Sequence, residues 1–397
     1  MKSEWTTYTV QELIDKEMLE PPMDGNHGEI HPKTTDYVKS GVPFIMANNL
    51  INGKVDYSNC SFITSKQAST LKKGFAHPGD VLLTHKATIG RTALVGTEYD
   101  TIILTPQVTY YRVKHGISNL YLKYYFDSNE FQQTLDNWAG SGSTRAYLGI
   151  TAQRKLPVVL PPFEIQTKIA EFGRILDDKI ELNNKVNENL EQQAQALYRH
   201  MFIENPSSEW EEGTLNDIAD ITMGQSPSGS SYNENGEGTI FFQGRAEFGF
   251  RFPSIRLYTT EPKHMARAND VLMSVRAPVG DLNVAHTDCC IGRGLAAIHS
   301  KTGHQSFVLY TMFALKDQLN VFNGEGTVFG SINRNSLNDM PILIPSSDSI
   351  SAFEDIVTPI DAAIRNNYNE ICRLTQLRDS ILPKLMSGEL DVSSLDF

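Results

Sequence analysis

The stretch at 161–202, PPFEIQTKIAEFGRILDDKIELNNKVNENLEQQAQALYRHMF, has a second, diverged copy that begins near Pro345 and runs to Met386. A constant shift of 184 positions carries Pro157 to Pro341, Pro161 to Pro345, Leu176 to Ile360, Asp177 to Asp361, Ile180 to Ile364, Asn183 to Asn367 and Leu190 to Leu374. In the first copy Phe172, Leu176, Ile180, Asn183, Val186, Leu190 and Leu197 recur mostly three or four apart. Ile360, Ile364, Asn367, Ile371 and Leu374 do the same in the second. That spacing predicts a long helix with one apolar stripe, at about 164–202 and again at about 348–386. Pro161 and Pro162 suit a helix start, because proline is tolerated in the opening turn. Ser346, Ser347 and Ser349 are candidate caps for the second helix, and Gly388 a candidate stop.

One long helix cannot bury its own stripe, so the two are expected to bury theirs against each other as a coiled coil. If the halves are related by a pseudo-two-fold, the pair is antiparallel. Leu176 then meets Leu374, Leu190 meets Ile360, and Asn183 faces Asn367 inside the seam. Facing amides penalise slipped registers, since a slip sets each against a hydrophobe.

The same order of elements repeats outside the helices. Strand-like runs lie at 42–46 (VPFIM), 80–85 (DVLLTH), 92–96 (TALVG) and 101–113 (TIILTPQVTYYRV). A helix-like segment at 120–138, a Gly-Ser turn at 140–145 and LPVVLPP follow. In the second half IFFQGR answers PFIMAN, NDVLMSVRAPVGDLNVA answers GDVLLTHKATIGRTALV, and MPILIP answers LPVVLP. The expected fold is mixed α/β (α+β), a tandem duplication with blocks 1–155 and 207–345 as globules and 156–206 and 346–397 as helix-bearing segments. The globules differ from each other more than the helices do, as if one scaffold carried two readers.

At 397 residues and 40% hydrophobic content the chain fits a multidomain soluble protein. No apolar run approaches a membrane span and no secretion signal is legible, so a cytoplasmic location is expected. Cys60, Cys289, Cys290 and Cys372 form no C-x-x-C pair, which argues against a zinc knuckle or redox motif. The net charge of −12 divides unevenly: +1 over 1–155, −3 over 156–206, −5 over 207–340 and −5 over 341–397. A nucleic-acid face needs only local basic charge, but such a chain should bind DNA weakly without partners.

Several catalytic readings fail on chemistry. Asp80 and Lys86 resemble part of a metal-dependent nuclease core, yet Thr84 stands where a second carboxylate is needed. Leu160-Pro161-Pro162-Phe163 resembles an amino-methyltransferase tetrapeptide, but leucine cannot accept a hydrogen bond from the target amine. The loops Gly224–Gly229 and Gly140–Gly142 carry no phosphate-binding lysine. No catalytic residue and no metal ligand is assigned.

What remains is a set of polar residues suited to base edges at matching places in both halves. In the first these are Asn48, Asn49, Thr84, His85, Lys86, Arg91, Ser143, Thr144 and Arg145. In the second they are Gln243, Arg245, Ser274, Arg276, Arg293, Thr327, Asn333 and Arg334. Arginine or lysine pairs with guanine, and asparagine or glutamine with adenine.

With these residues in view, the chain resembles a specificity subunit of a type I restriction-modification system over nearly its full length. The run LPVVLPPFEIQTKIAEFGRILD carries the resemblance, together with GQSPSGSSYNENGEG, FFQGRAEFG, DVLMSVRAPVGDLNVA, CCIGRGLAAI and the ending ILPKLMSGEL. The resemblance implies two target recognition domains, each reading half of a split, asymmetric DNA site, with the helices setting the gap. It implies a non-catalytic subunit that docks two modification (methyltransferase) subunits, joined by restriction (translocase/nuclease) subunits. S-adenosylmethionine, ATP and Mg would then sit on those partners. The acidic residues Asp177, Asp178, Glu181 and Glu188 are expected to form the docking face. The specificity part of another methylation-based phage-defence complex, and a protein-only adaptor, stand as alternatives.

Overall fold

The computed structural model describes residues 5–140, 146–324 and 330–392. The chain folds into two compact units, Met1–Glu181 with Ile371–Phe397, and Leu182–Glu370. Both boundaries fall inside the long helices, Phe163–Tyr198 and Ser347–Met386, which lie where the repeat places them. A π-helical turn, Arg199–Glu204, ends the first.

The division differs from the blocks read in the sequence because the two halves of each helix join different cores. In unit 1, Ile169, Ala170 and Phe172 pack with Leu385 and Met386 and with Tyr121, Leu122 and Phe126. In unit 2, Ala194 and Tyr198 pack with Ile350, Phe353 and Val357 and with Phe307 and Tyr310.

Each unit repeats one strand topology. In unit 1, Val81–Lys86 lies between Val108–Tyr111 and Thr88–Leu94, all antiparallel, and Met23–Asp24 flanks Val108–Tyr111. In unit 2, Val271–Ser274 lies between Leu295–Ser300 and Leu282–Val284, and Ala219–Met223 takes the flank. A second sheet in each unit holds one parallel pair, Val42–Ile45 with Ile102–Leu104 and Thr239–Phe242 with Cys289–Ile291. Unit 1 alone, among the described residues, adds the hairpin Leu50–Ile51 and Gly53–Val55 to the edge of its larger sheet.

The turn before the central strand is duplicated too. Asp80 accepts from the His77 backbone N at 2.8 Å, and Asp270 accepts from the Arg267 N at 2.8 Å. Gly79 and Asn269 supply the left-handed residue in each turn. Asp80 is then paired by Arg112 at 2.7 Å, and Asp270 by His299 at 2.6 Å. Asp80 is thus a buried turn carboxylate with its oxygens in use, which agrees with setting the nuclease reading aside.

The helices pair antiparallel within each unit, in a register about one helical turn from the expected one. Asn183 Nδ2 donates to Glu370 at 2.7 Å, and Asn367 Nδ2 donates to Asn187 at 2.8 Å. Asn183 and Asn367 therefore do not face each other; each reaches one turn further along its partner. The buried positions of the first helix are Gln166, Ile169, Ala170, Gly173, Leu176, Asn183, Asn187, Ala194 and Tyr198; apart from Ala170 they keep to three-four spacing, with half-buried Ile180 and Leu190 filling the two seven-residue gaps. Strict spacing from Leu176 lands on Asn187, so Val186 is exposed and leaves the seam. Phe172, Ile180, Leu190 and Leu197 are half-buried beside it. On the second helix Ile364 is buried, while Ile360, Asn367, Ile371 and Leu374 are half-buried. Reading the apolar residues alone missed Asn187, because its amide occupies a seam position that hydrophobicity does not mark.

Three of the four carboxylates expected to form a docking face have partners within unit 1, and the fourth, Glu188, is exposed. Asp177 accepts from Tyr124 Oη and from Arg378, both at 2.7 Å, inside unit 1. Asp178 pairs with Arg174 one turn away, and Glu181 with Lys54. These carboxylates fasten helix to globule or to the same helix. Asp361 repeats the role of Asp177 in unit 2, accepting from Tyr310 Oη at 2.9 Å. There Arg251, 4% exposed, lies 3.1 Å from Glu191 and 3.3 Å from Asp361 and donates to Tyr310 Oη at 3.0 Å. One buried cation thus ties both long helices to the globule of unit 2. Among the described residues, no helix is long and apolar enough to cross a membrane.

Candidate nucleic-acid interface

Glycine lets four loops interlock at one edge of unit 2. The backbone N of Gln225 donates to Ile291 O at 2.9 Å, that of Gly292 to Phe242 O at 2.8 Å, and that of Val275 to Gly294 O at 2.9 Å. A Cβ on Gly224 would lie 2.1 Å from Gly292 O, and one on Gly292 would lie 2.9 Å from Gln243. Any larger residue would push the loops apart. The packed backbone leaves Gln225, Gln243, Arg245, Arg276 and Arg293 exposed on the edge. The sequence runs GQSPSG, FFQGR, SVRAP and CIGRG thereby meet in one place, although more than sixty residues of chain separate the first from the last.

Unit 1 builds the same edge with other side chains. The backbone N of Thr105 donates to Ile45 O and that of His85 to Gln107 O, both at 3.0 Å. These bonds match Gly292 to Phe242 and Val275 to Gly294. A Cβ on Gly25 would meet Leu104 O at 1.9 Å, the counterpart of the Gly224 contact. The equivalence sets Lys86 against Arg276, Asn48 against Arg245, and Pro106 against Arg293. Asn48, Lys86 and Arg91 are exposed here.

A further strand-like segment borders each edge. Lys86 bridges Tyr147 and Arg276 bridges Ser331, both antiparallel. Tyr147 is 52% exposed and its ring lies 5.8 Å from that of His85.

Five of the residues proposed from sequence have side chains engaged within the fold. Asn49, 2% exposed, accepts from Met46 N at 2.9 Å and donates to Asn59 O. Thr84 Oγ1 accepts from Arg91 N at 2.9 Å, and Ser274 Oγ accepts from Asp281 N at 2.9 Å. His85 is buried, with Nδ1 3.1 Å from Leu148 O, and burial holds its pKa below the ordinary histidine value. The hydroxyls of Thr84 and Ser274 are spent on the Arg91 and Asp281 backbone N–H groups, which leaves Lys86 and Arg276 as the outward residues of the two strand ends. Asn333 caps the helix Arg334–Asn338 by accepting from Ser336 N at 2.9 Å, and Arg334 is exposed in its first turn. Ser143, Thr144, Arg145 and Thr327 lie outside the described residues. Gln225, Tyr147 and Asp281 were missed; a polar residue inside a glycine-rich loop was the available signal for Gln225.

A family model described as type I restriction modification DNA specificity domain matches residues 2–192 and again 207–373. The chain is a member of that specificity-domain family. It is 29% identical over 378 residues to a putative type I restriction enzyme MjaX specificity subunit of Methanocaldococcus jannaschii, covering 90% of this chain and 89% of that one. It is 26% identical to the type I restriction enzyme MjaIX specificity subunit of the same organism, covering 91% and 90%. The crystal structure of a type I restriction-modification system S subunit from M. genitalium superposes with a TM-score of 0.60 over 96% of each chain, at 14% identity. That likeness concerns the fold. The two matches to the specificity-domain model coincide with the two strand topologies, so each repeat of the family carries one glycine-packed edge.

Proposed function

We propose that this chain is the DNA-sequence specificity subunit of a type I restriction-modification complex. The observation that carries the reading is the duplicated edge: one backbone arrangement, twice, presenting different base-competent side chains within a specificity-domain repeat. Phosphate contacts position a protein on DNA, whereas arginine, lysine, asparagine and glutamine reaching base edges specify sequence. Each unit reads one half of a bipartite, asymmetric site. Unit 2 offers Arg245, Arg276 and Arg293 and is the guanine-directed reader; unit 1 offers Asn48, Lys86 and Arg91.

The paired helices set the gap between half-sites and dock two modification subunits. The exposed apolar residues Ile175, Leu182 and Val186 fall seven and four apart on one face of the first helix and suit a helical partner better than the engaged carboxylates do. Chemistry belongs to the partners: S-adenosylmethionine on the modification subunits, ATP and Mg on restriction subunits. The complex works in the cytoplasm. The family match over both halves of the chain favours this reading over a protein-only adaptor.

Fluorescence anisotropy with duplex DNA separates the readings. This chain alone should bind weakly, and the co-expressed modification complex tightly and with sequence preference. Absence of DNA binding by that complex at low salt would sink the proposal.

A further inference from the structure

Position 91 in unit 1 and position 281 in unit 2 are structurally the same place. Leu83 pairs with Thr92 as Met273 pairs with Leu282, and in both units the backbone N of the preceding residue, Arg91 or Asp281, donates to the hydroxyl of Thr84 or Ser274. Yet the side chains carry opposite charge: Arg91 against Asp281. A carboxylate on a face meant for DNA repels phosphate unless it is committed to a cation.

Asp281 is committed to two. Its Oδ2 accepts from Arg245 Nη1 and its Oδ1 from Lys316 Nζ at 2.8 Å. Lys316 Nζ also donates to Gly280 O at 2.8 Å, which anchors the carboxylate to the framework. Asp281 is 29% exposed at its side chain and Arg245 48%, so the guanidinium is the more open of the two. One guanidinium nitrogen of Arg245, Nη1, is thus held by Asp281, which leaves the rest of the fork for donation to a base. A long side chain fixed in this way loses less rotamer freedom on binding than a free one.

We propose that Asp281 is the positioning residue that holds Arg245 for guanine reading in the unit 2 half-site, at the place where unit 1 presents Arg91 to the DNA itself. The proposal rests on the reading of this chain as a specificity subunit. Asp281 touches no base; it acts through Arg245. A carboxylate that accepted from cytosine directly would serve its own base position instead.

Adenine methylation is mapped by single-molecule sequencing in a host carrying the modification subunit with the parent chain, Arg245→Ala, Asp281→Asn, Asp281→Glu or the Arg245→Ala/Asp281→Asn pair. Arg245→Ala and Asp281→Asn should relax the same guanine, each by roughly tenfold in preference. The pair should be no worse than Arg245→Ala, Asp281→Glu should recover part of the preference, and the unit 1 half-site should be unchanged. Lys316→Met, which loosens the anchor without touching Arg245, should relax that same position more weakly. Relaxation at a different position by Asp281→Asn, an unchanged motif, or additive loss in the pair overturns the proposal. If Asp281→Asn does not accumulate, Lys316→Met decides by the same criterion. A parent chain that directs no bipartite motif would instead refute the specificity reading itself.

Discussion

Replacing Arg251 by Met tests how the reader of unit 2 is fixed to the helices. Arg251 is 4% exposed and serves Glu191 on the first helix, Asp361 on the second and Tyr310 in the globule. Methionine fills similar volume but leaves two carboxylates without their cation. Their side chains are 14% and 21% exposed, so water screens them little. Asp361 keeps the Tyr310 hydrogen bond, whereas Glu191 loses its cation. Removing one member of such a buried set costs about 3–5 kcal/mol. For a unit of this size that corresponds to a fall of roughly 6–20 °C in melting temperature.

The deficit should depend on pH in one direction. Burial raises the Glu191 pKa above the ordinary glutamate value; Arg251 opposes that shift, and Asp361 adds to it. Losing Arg251 raises it further. A carboxyl raised in the folded state is protonated in both states below the unfolded value of about 4.3. Its penalty therefore grows as pH rises from there through the folded pKa. Scanning calorimetry across a pH series should show the deficit shrinking as the pH is lowered toward about 4.3, where the carboxyl is protonated in both states. A loss below about 1 kcal/mol, the size typical of an exposed pair, or a deficit that does not shrink on acidification, would refute the role given to Arg251.

Asn187→Leu should destabilise by about 1–3 kcal/mol by stranding the Asn367 amide, whereas Val186→Ala should stay within about 0.5 kcal/mol; urea unfolding compares them. Arg276→Ala and Arg293→Ala should each relax one base of the unit 2 half-site at a cost of about 1–3 kcal/mol, with the other half-site unchanged in the methylation profile. Inserting seven residues into both long helices, after Glu181 and after Glu370, adds about 10 Å and nearly two full turns, keeping the seam in phase. The gap between half-sites should lengthen by about three base pairs at 3.4 Å each, and an unchanged gap in an assembled complex would remove the helices as the ruler.

The helices were legible because a repeated three-four spacing survives divergence, and their observed bounds, Phe163–Tyr198 and Ser347–Met386, lie close to those expected. Their register was not, because polar seam residues such as Asn187 carry no hydrophobic signal, and the pairings of Asn183 with Glu370 and Asn367 with Asn187 reveal it. The edge was half legible. The strand ends bearing Lys86 and Arg276 could be aligned by eye, but which neighbour is buried is decided by hydrogen bonds that the spacing does not show. The Thr84 and Ser274 hydroxyls accept from the Arg91 and Asp281 backbone, His85 is buried against Leu148 O, and Asn49 closes its own turn. Asp177 and Asp361 matched in the repeat, yet their bonds to Tyr124 and Tyr310 join residues some fifty positions apart, beyond the reach of local pattern.

The central claim is that two equivalent edges read two different half-sites. Single-molecule sequencing of adenine methylation, in a host carrying this chain with its modification subunit, measures it directly. The account expects one bipartite, asymmetric motif with a fixed gap, with guanine at positions that Arg276→Ala and Arg293→Ala relax in one half only. A continuous motif, two identical half-sites, or methylation independent of this chain would contradict it.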